Sequence, residues 1–171
     1  HPFGTDQLGR DTLARMMAGG RTSIAVGLAA MALSLFFGSF IGVTAGFYKR
    51  LDGILMRFTD LFLSLPLLPL LLVMMLLFRE PLSQAYGPEK GMFVLIVVSI
   101  GITSWMPTAR IVRADVLALK EREFVLAARS SGTSDTMIIL RHIMPNVLSP
   151  IMVSATLGIA NGIITESALS F

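Results

Sequence analysis

The sequence predicts an all-α fold, a polytopic bundle of four transmembrane helices with a cytoplasmic helix-turn-helix loop. The chain of 171 residues is 54% hydrophobic and only 15% charged, whereas about one quarter of the residues in soluble domains are charged. Four separate windows of about 20 residues, the length that crosses a bilayer, contain no Asp, Glu, Lys or Arg. A soluble chain of this length has too little interior to surround four such helices.

The uncharged windows define the organisation of the chain. They are residues 22–47, 61–78, 91–109 and 143–165. We predict an extracytoplasmic pre-span segment, residues 1–21, and a transmembrane domain, residues 22–171, whose polar loop covers residues 110–142. The chain begins at His1 without a signal sequence and ends at Phe171 in an apolar run, which predicts an internal fragment of a longer protein.

The distribution of Lys and Arg predicts the orientation of the spans. One set of alternate loops is richer in these residues than the other, and cytoplasmic loops are the richer ones in membrane proteins. The richer set contains Lys49, Arg50, Arg57, Arg110, Arg113, Lys120, Arg122, Arg129 and Arg141, against Arg10, Arg15, Arg21, Arg79 and Lys90 in the other. The 110–142 loop is therefore predicted to lie in the cytoplasm.

Small residues recur every four positions in the first and last spans. The first stripe is Ala30, Ser34, Gly38, Gly42 and Gly46, and the second is Ser154, Gly158 and Gly162, with Glu166 in the same register. A stripe of this kind lets another helix approach closely. Ordinary packing of the bundle is favoured over a moving pore surface.

Two prolines interrupt the second span. Pro66 and Pro69 each remove a backbone donor and clash with the preceding turn, which predicts a kinked or partly unwound helix. Irregular backbone at membrane depth requires neighbouring helices or a water-filled cavity. The kink is either architectural or part of a gate.

The interiors of the four windows contain no ionisable residue that could serve as a proton or ion path. Glu166 falls just beyond the last window, where it could lie at the outer interface. This pattern argues against a proton-coupled secondary transporter, so the energy for any transport must come from another source.

The polar loop reads as two helices joined by a glycine turn. Residues 121–131 are good helix formers, Gly132 can end the helix in the left-handed conformation, and Thr133 or Ser134 can cap the next helix, which runs to Pro145. From these residues alone, docking of a partner and packing against the chain's own bundle are equally open. A DNA-binding helix-turn-helix is disfavoured, because short tethers to the spans leave no freedom to enter a groove.

The loop resembles the EAA loop of permease subunits in bacterial ABC importers, in the dipeptide, oligopeptide and nickel family. The residues that carry this resemblance or form the predicted ATPase-coupling loop are Glu123, Phe124, Ala127, Ala128, Arg129, Gly132, Ile138, Arg141, His142, Pro145 and Asn146. Residues 1–11 and 166–171 also resemble that family, so the likeness covers nearly the whole chain.

The resemblance implies a transport subunit of the bacterial inner membrane that is not itself a catalyst. It implies a second homologous permease, two cytoplasmic ATPases that carry the ATP and Mg, and an extracytoplasmic solute-binding protein. Peptides or a related solute such as nickel would be the substrate. The rival hypotheses are a secondary transporter or channel without an ATPase, and a membrane enzyme.

No catalytic, cofactor or metal site is predicted in this chain, nor any binding of nucleic acid. The chain has no cysteine, and its glycine-rich residues 4–11 have Arg10 and Asp11 where a P-loop needs Lys and Ser or Thr. His1 and His142 have no partners at metal-ligand spacing. A membrane enzyme would need polar catalytic residues at a span end, and the sequence has no such cluster.

Overall fold

A computed structural model of the protein describes residues 4, 5 and 9–170, with the side chain of residue 170 left out. The described part is almost entirely helical. Its elements are α1 Thr12–Phe47, α2 Lys49–Ser64, α3 Leu67–Tyr86, α4 Pro88–Leu119, α5 Glu123–Ser130, α6 Asp135–Ile138, a π-helical turn Ile139–Ile143, and α7 Met144–Ser170. The predicted similarities at residues 1–3, 6–8 and 171 lie outside the described residues.

Four helices are long and apolar enough to cross a membrane: Thr12–Phe47, Leu67–Tyr86, Pro88–Leu119 and Asp135–Leu169. The predicted all-α polytopic fold with four spans is therefore confirmed. The helices extend beyond the uncharged windows, because a helix continues until its backbone is capped. Thus α1 begins at Thr12, where the Asp11 carboxylate accepts a hydrogen bond of 3.1 Å from the Leu13 amide, and it passes without a break through the predicted boundary at residue 22.

The predicted start of the second span at residue 61 is wrong. Residues 61–64 belong to α2, and α3 begins only at Leu67. The residue before a proline is disfavoured in the helical conformation, and Leu65 accordingly has extended angles, φ −75° and ψ 134°. Pro66 thus breaks the helix, as predicted. Pro69 does not, because it lies in the first turn of α3, where backbone amides have no intrahelical acceptor.

The core of the bundle is α4, which packs against α1, α3 and α7. In the most apolar 18-residue stretch of α4, 61% of the residues are buried. The corresponding share in α3 is 6%. The glycine stripe of α1 lies on α4: a Cβ at Gly38 would lie 2.8 Å from the Trp105 carbonyl oxygen, and one at Gly42 2.6 Å from that of Ala109. The backbones of α1 and α4 can approach this closely only because Gly38 and Gly42 have no side chains.

The second stripe lies where α7 crosses α1. A Cβ at Gly158 would overlap the side chain of Met31, and one at Gly162 would lie 3.6 Å from the Cα of Gly27. Near the far end of this contact, the Ser23 hydroxyl donates a hydrogen bond of 2.9 Å to the Glu166 carboxylate. Glu166 thus forms part of the α1–α7 packing at the end of the bundle opposite the polar loop.

The helix α2 was not predicted, and it fastens the loop between the first two spans to α4. Arg113 donates to both carboxylate oxygens of Asp52, with the Nη2–Oδ2 distance at 2.6 Å, and Arg110 pairs with Asp60. Phe58 and Phe62 of α2 lie beside the buried ring of Trp105, with centroids 6.3 Å and 6.4 Å away.

The two ion pairs differ in burial, and this difference predicts their effect on stability. The Asp52 side chain is 22% exposed and that of Asp60 is 59% exposed. We expect Asp52→Asn to lower the free energy of unfolding by about 1–2 kcal/mol, since it leaves a partly buried Arg113 without its partner. Asp60→Asn should cost less than about 0.5 kcal/mol. Thermal unfolding in detergent measures the loss of stability in both variants. Equal losses would contradict the larger contribution that we assign to the more buried pair.

The same pair has a defined pH dependence. The hydrogen bond from Arg113 lowers the pKa of the Asp52 carboxyl below its ordinary value of 3.8. A lowered folded-state pKa adds stability that is present above the unfolded value and is lost as the pH falls through the folded value. The difference between wild type and Asp52→Asn should therefore be constant from about pH 5 to 8 and begin to shrink below about pH 4. It should disappear only as the pH falls through the lowered folded-state pKa of Asp52.

Candidate functional site

The helix α5 ends in a glycine turn that fixes the direction of the chain. Gly132 has φ +79°, its amide bonds to the Arg129 carbonyl at 3.0 Å, and the Thr133 amide bonds to the Ala128 carbonyl at 3.1 Å. This pair of hydrogen bonds is the Schellman motif, which needs a left-handed residue at the glycine position. The glycine turn predicted from the sequence is present. Ser134 occupies the N-cap of α6, but its side chain makes no capping hydrogen bond.

One side of α5 is anchored in the protein. Val125 is fully buried in a cluster with Phe47, Val116, Ile138 and Ile143, which belong to the ends of α1 and α4, to α6 and to the π-helical turn. We call the end of the bundle where this cluster lies the basic end, because the loops rich in Lys and Arg are at this end. The Arg129 guanidinium lies 5.6 Å from the centre of the Phe47 ring, and Lys120 Nζ donates to the Gly46 carbonyl at 3.0 Å. The loop is thus packed onto the ends of the spans.

The other side of α5 and the start of the next helix are exposed and apolar. Ala127 lies about 200° around the helix from Val125 and is exposed. We call the exposed apolar residues of this loop the loop patch: Phe124, Leu126, Ala127, Met137 and Leu140, of which the four large ones are 42% to 62% exposed. These residues are the exposed apolar surface of an otherwise polar loop. Leu126, Met137 and Leu140 were not among the predicted coupling residues, although the sequence shows them as apolar residues on a polar loop.

The structure brings most of the predicted coupling residues to the surface of the basic end. The exposed members are Glu123, Phe124, Ala127, Arg129, Gly132, Arg141, Pro145 and Asn146. Ala128 and His142 are partly buried, with Ala128 packed against the Val125 cluster. Ile138 is fully buried in that cluster, so it supports the loop from inside and does not face a partner.

The loop is joined to the last span by continuous helix. The predicted boundary at Pro145 is not a break, because the π-helical turn Ile139–Ile143 and α7 follow α6 directly. Proline cannot donate to the carbonyl four residues back and clashes with it in a regular α-helix, and a π-turn relieves this constraint. The Asn146 side-chain amide donates to the His142 carbonyl at 2.7 Å. The junction therefore keeps its hydrogen bonds while its helix is locally widened.

A second feature lies inside the bundle. A partly open cavity of about 570 Å³ is lined by the middle of α1 and α7, the second half of α4, the end of α2 and the start of α3. Leu65, the extended residue before Pro66, is part of its wall, whereas Pro69 is not. Its polar lining residues include Ser34, Thr103, Thr108, Ser154, Asn161 and Thr165. The irregular backbone predicted at Pro66 was compatible with a cavity, but the cavity could not be located from the sequence because its walls come from five helices.

The residues of the small-residue stripes divide between packing and this cavity. Gly38, Gly42 and Gly46 are buried against α4, while Ser34, Ser154 and Gly158 also line the cavity. Within residues 9–170 no group of three or more His, Asp or Glu side chains is placed to hold a metal ion.

These features define a multi-pass membrane protein with a helical loop packed onto one end of its spans. Residues 34–171 match the family described as the binding-protein-dependent transport system inner membrane component, and the chain belongs to that family. It is thus an inner-membrane component of a binding-protein-dependent transport system, which confirms the family resemblance predicted from the sequence.

Similar proteins carry related names. The chain is 40% identical over 172 residues to the oligopeptide transport system permease protein OppC of Bacillus subtilis, covering 100% of this chain and 53% of that protein. It is 36% identical to the dipeptide transport system permease protein DppC of Alkalihalophilus pseudofirmus and 38% identical to OppC of Haemophilus influenzae, again over the whole chain and 53% and 52% of those proteins. The chain spans about half the length of these curated relatives.

Proposed function

We propose that this chain is the membrane-spanning part of a permease subunit in an ATP-driven importer, and that residues 110–142 couple it to a cytoplasmic ATPase. Peptides are the favoured cargo because the relatives are named for peptide, dipeptide and oligopeptide transport. A related solute such as nickel, chelated or free, belongs to the same proposal. The single observation that carries the coupling role is a short helix anchored on one side and exposed on the other.

The anchoring of α5 supports transmission of force. A partner that moves the loop patch would displace Val125 and Ile138, which are packed in one cluster with Phe47 and Val116 at the ends of α1 and α4. The same displacement would pass along continuous helix into α7. Interiors are close-packed and transmit strain, so a rigid loop moves the spans where a flexible one would deform.

The proposed partners follow from this role. Two ATPases would bind ATP and Mg and hydrolyse the ATP, while this chain binds no cofactor and catalyses no reaction. A second, homologous permease would complete the pathway, and an extracytoplasmic binding protein would deliver the solute. The orientation with the basic end in the cytoplasm is supported by the Lys and Arg distribution of the loops.

Copurification and transport assays test the proposal. We expect the full-length protein in mild detergent to bring down a second permease and ATPases, identified by mass spectrometry. In proteoliposomes, uptake of a radiolabelled dipeptide with its binding protein should require ATP in the ATPase compartment and should be unaffected by dissipating the proton gradient. A lone protein whose uptake follows the gradient would establish the rival secondary transporter.

A further inference from the structure

We propose that the cavity between α1, α4 and α7 is a passage site for peptides that binds their main-chain amides through uncharged side chains and leaves their side-chain charges unrecognised. This inference rests on the proposed function and names the site and the chemistry by which the cargo is held. The volume of about 570 Å³ falls within the range of about 300–1,000 Å³ that is typical of small-molecule sites.

The first observation is a buried hydroxyl without a partner. Ser34 lines the cavity, is 1% exposed, and its Oγ makes no hydrogen bond within the described residues. A buried polar group left without a hydrogen bond costs free energy, and such groups in native proteins usually have a partner. The Ser34 Oγ exposes less than 1 Å² in this structure. A ligand that offers a carbonyl or amide at this wall would supply a partner when the Ser34 side chain turns toward the cavity.

The second observation is the division of donors and acceptors along the walls. The Thr103 hydroxyl donates to the Ser99 carbonyl at 2.8 Å, and the Thr165 hydroxyl donates to the Asn161 carbonyl at 2.8 Å. With their protons used in this way, both oxygens can only accept from a ligand. Ser34 can donate, and the Asn161 amide can donate and accept. The walls thus offer both halves of the match to a peptide unit, which has one N–H and one C=O.

The third observation is the absence of charge. None of the described residues that line the cavity is Asp, Glu, Lys, Arg or His. A fixed charge in a site of low dielectric would hold cargo of opposite charge tightly and repel cargo of like charge. Passage requires binding that is favourable enough for entry and weak enough for exit. Walls that are mostly apolar, with uncharged hydroxyl and amide groups among them, meet this requirement for peptides of any side-chain charge.

Cysteine accessibility tests whether the cavity is the passage. The described chain has no cysteine to interfere, so Ser154→Cys in the cavity wall can be compared with Thr156→Cys, an exposed position of α7 two residues away that does not line it. We expect a membrane-impermeant methanethiosulfonate to modify the first at least about tenfold faster, and saturating Ala-Ala dipeptide with the binding protein to slow that reaction. Equal rates, or no protection by dipeptide, would overturn the proposal and indicate that another segment fills the space.

Charge insertion tests the neutral wall in the assembled transporter. Asn161→Asp keeps the size of the side chain, and we expect it to change the ratio of Ala-Lys to Ala-Glu uptake at least about tenfold in favour of Ala-Lys. Asn161→Leu should lower uptake of both peptides equally. Gln84→Glu, the same amide-to-acid change at an exposed position of α3 outside the cavity, should leave the ratio unchanged. An unchanged ratio in Asn161→Asp would overturn the proposal.

The proposal and the proposed function fail separately in these experiments. Copurified ATPases and ATP-dependent uptake of Ala-Ala by the parent protein are measured first, and they establish the transporter itself. If they are present while the cavity variants behave like their controls, the passage lies elsewhere. If they are missing but Ser154→Cys is accessible and protected by dipeptide, the cavity binds peptide in a transporter of another kind.

Discussion

Alanine at Gly38 and Gly42 together is expected to prevent stable folding of the bundle, and alanine at Gly42 alone to lower the free energy of unfolding by about 1–3 kcal/mol. A Cβ at Gly42 would lie 2.6 Å from the Ala109 carbonyl oxygen and 2.8 Å from the Val112 Cβ. A Cβ at Gly38 would lie 2.8 Å from the Trp105 carbonyl oxygen. Backbone oxygens of α4 cannot rotate away as a side chain can, so α1 must separate from the central helix of the bundle.

Gly53 provides a control, because the same substitution there should raise the free energy of unfolding instead of lowering it. It lies exposed within α2, and no described atom lies within 4 Å of a Cβ built there. Since alanine is favoured over glycine in a helix by about 0.8–1 kcal/mol, Gly53→Ala should stabilise the protein slightly. Thermal unfolding monitored by gel filtration in detergent compares the variants. A Gly42→Ala protein as stable as Gly53→Ala would show that α1 and α4 do not pack in this way.

The parts of the fold that were predictable are those imposed by the solvent and by local backbone chemistry. Lipid requires long uncharged helices, so the four uncharged windows of the sequence indicated four spans. The glycine turn at Gly132 and the break before Pro66 follow from the conformations open to those two residue types. Neither inference needs any knowledge of which helices are neighbours.

The parts that were not predictable depend on which elements meet in space. The spacing of the α1 stripe indicated a close helix contact, but not that the partner is α4. Ile138 has the same local character as the exposed Met137, yet it is buried because the Val125 cluster lies on its side of the helix. The cavity is a gap among five helices, so no single stretch of sequence encodes it.

Gly132→Trp is expected to leave membrane insertion intact while abolishing ATPase association and ATP-driven uptake. The glycine lies exposed between α5 and α6, and no described atom lies within 4 Å of a Cβ built on it, so the indole can be accommodated within this chain. A large side chain at the turn would stand beside the loop patch and hold a docked partner away. The left-handed backbone adds a strain of about 1–2 kcal/mol, which is too small to unfold the spans. Copurification and uptake of the full-length variant measure the effect.

Two further variants separate steric obstruction from backbone strain. Gly87 joins α3 to α4 at the end of the bundle away from the loop patch, and no described atom lies within 4 Å of a Cβ built on it. Its angles of φ +87° and ψ 161° are essentially restricted to glycine, so Gly87→Trp carries the same bulk and at least as much strain without obstructing docking. Gly132→Asn keeps a residue that tolerates the left-handed conformation. Both should retain ATPases and most of the uptake. Loss of association in Gly87→Trp would assign the effect to global destabilisation, and full association and uptake in Gly132→Trp would exclude the turn from coupling.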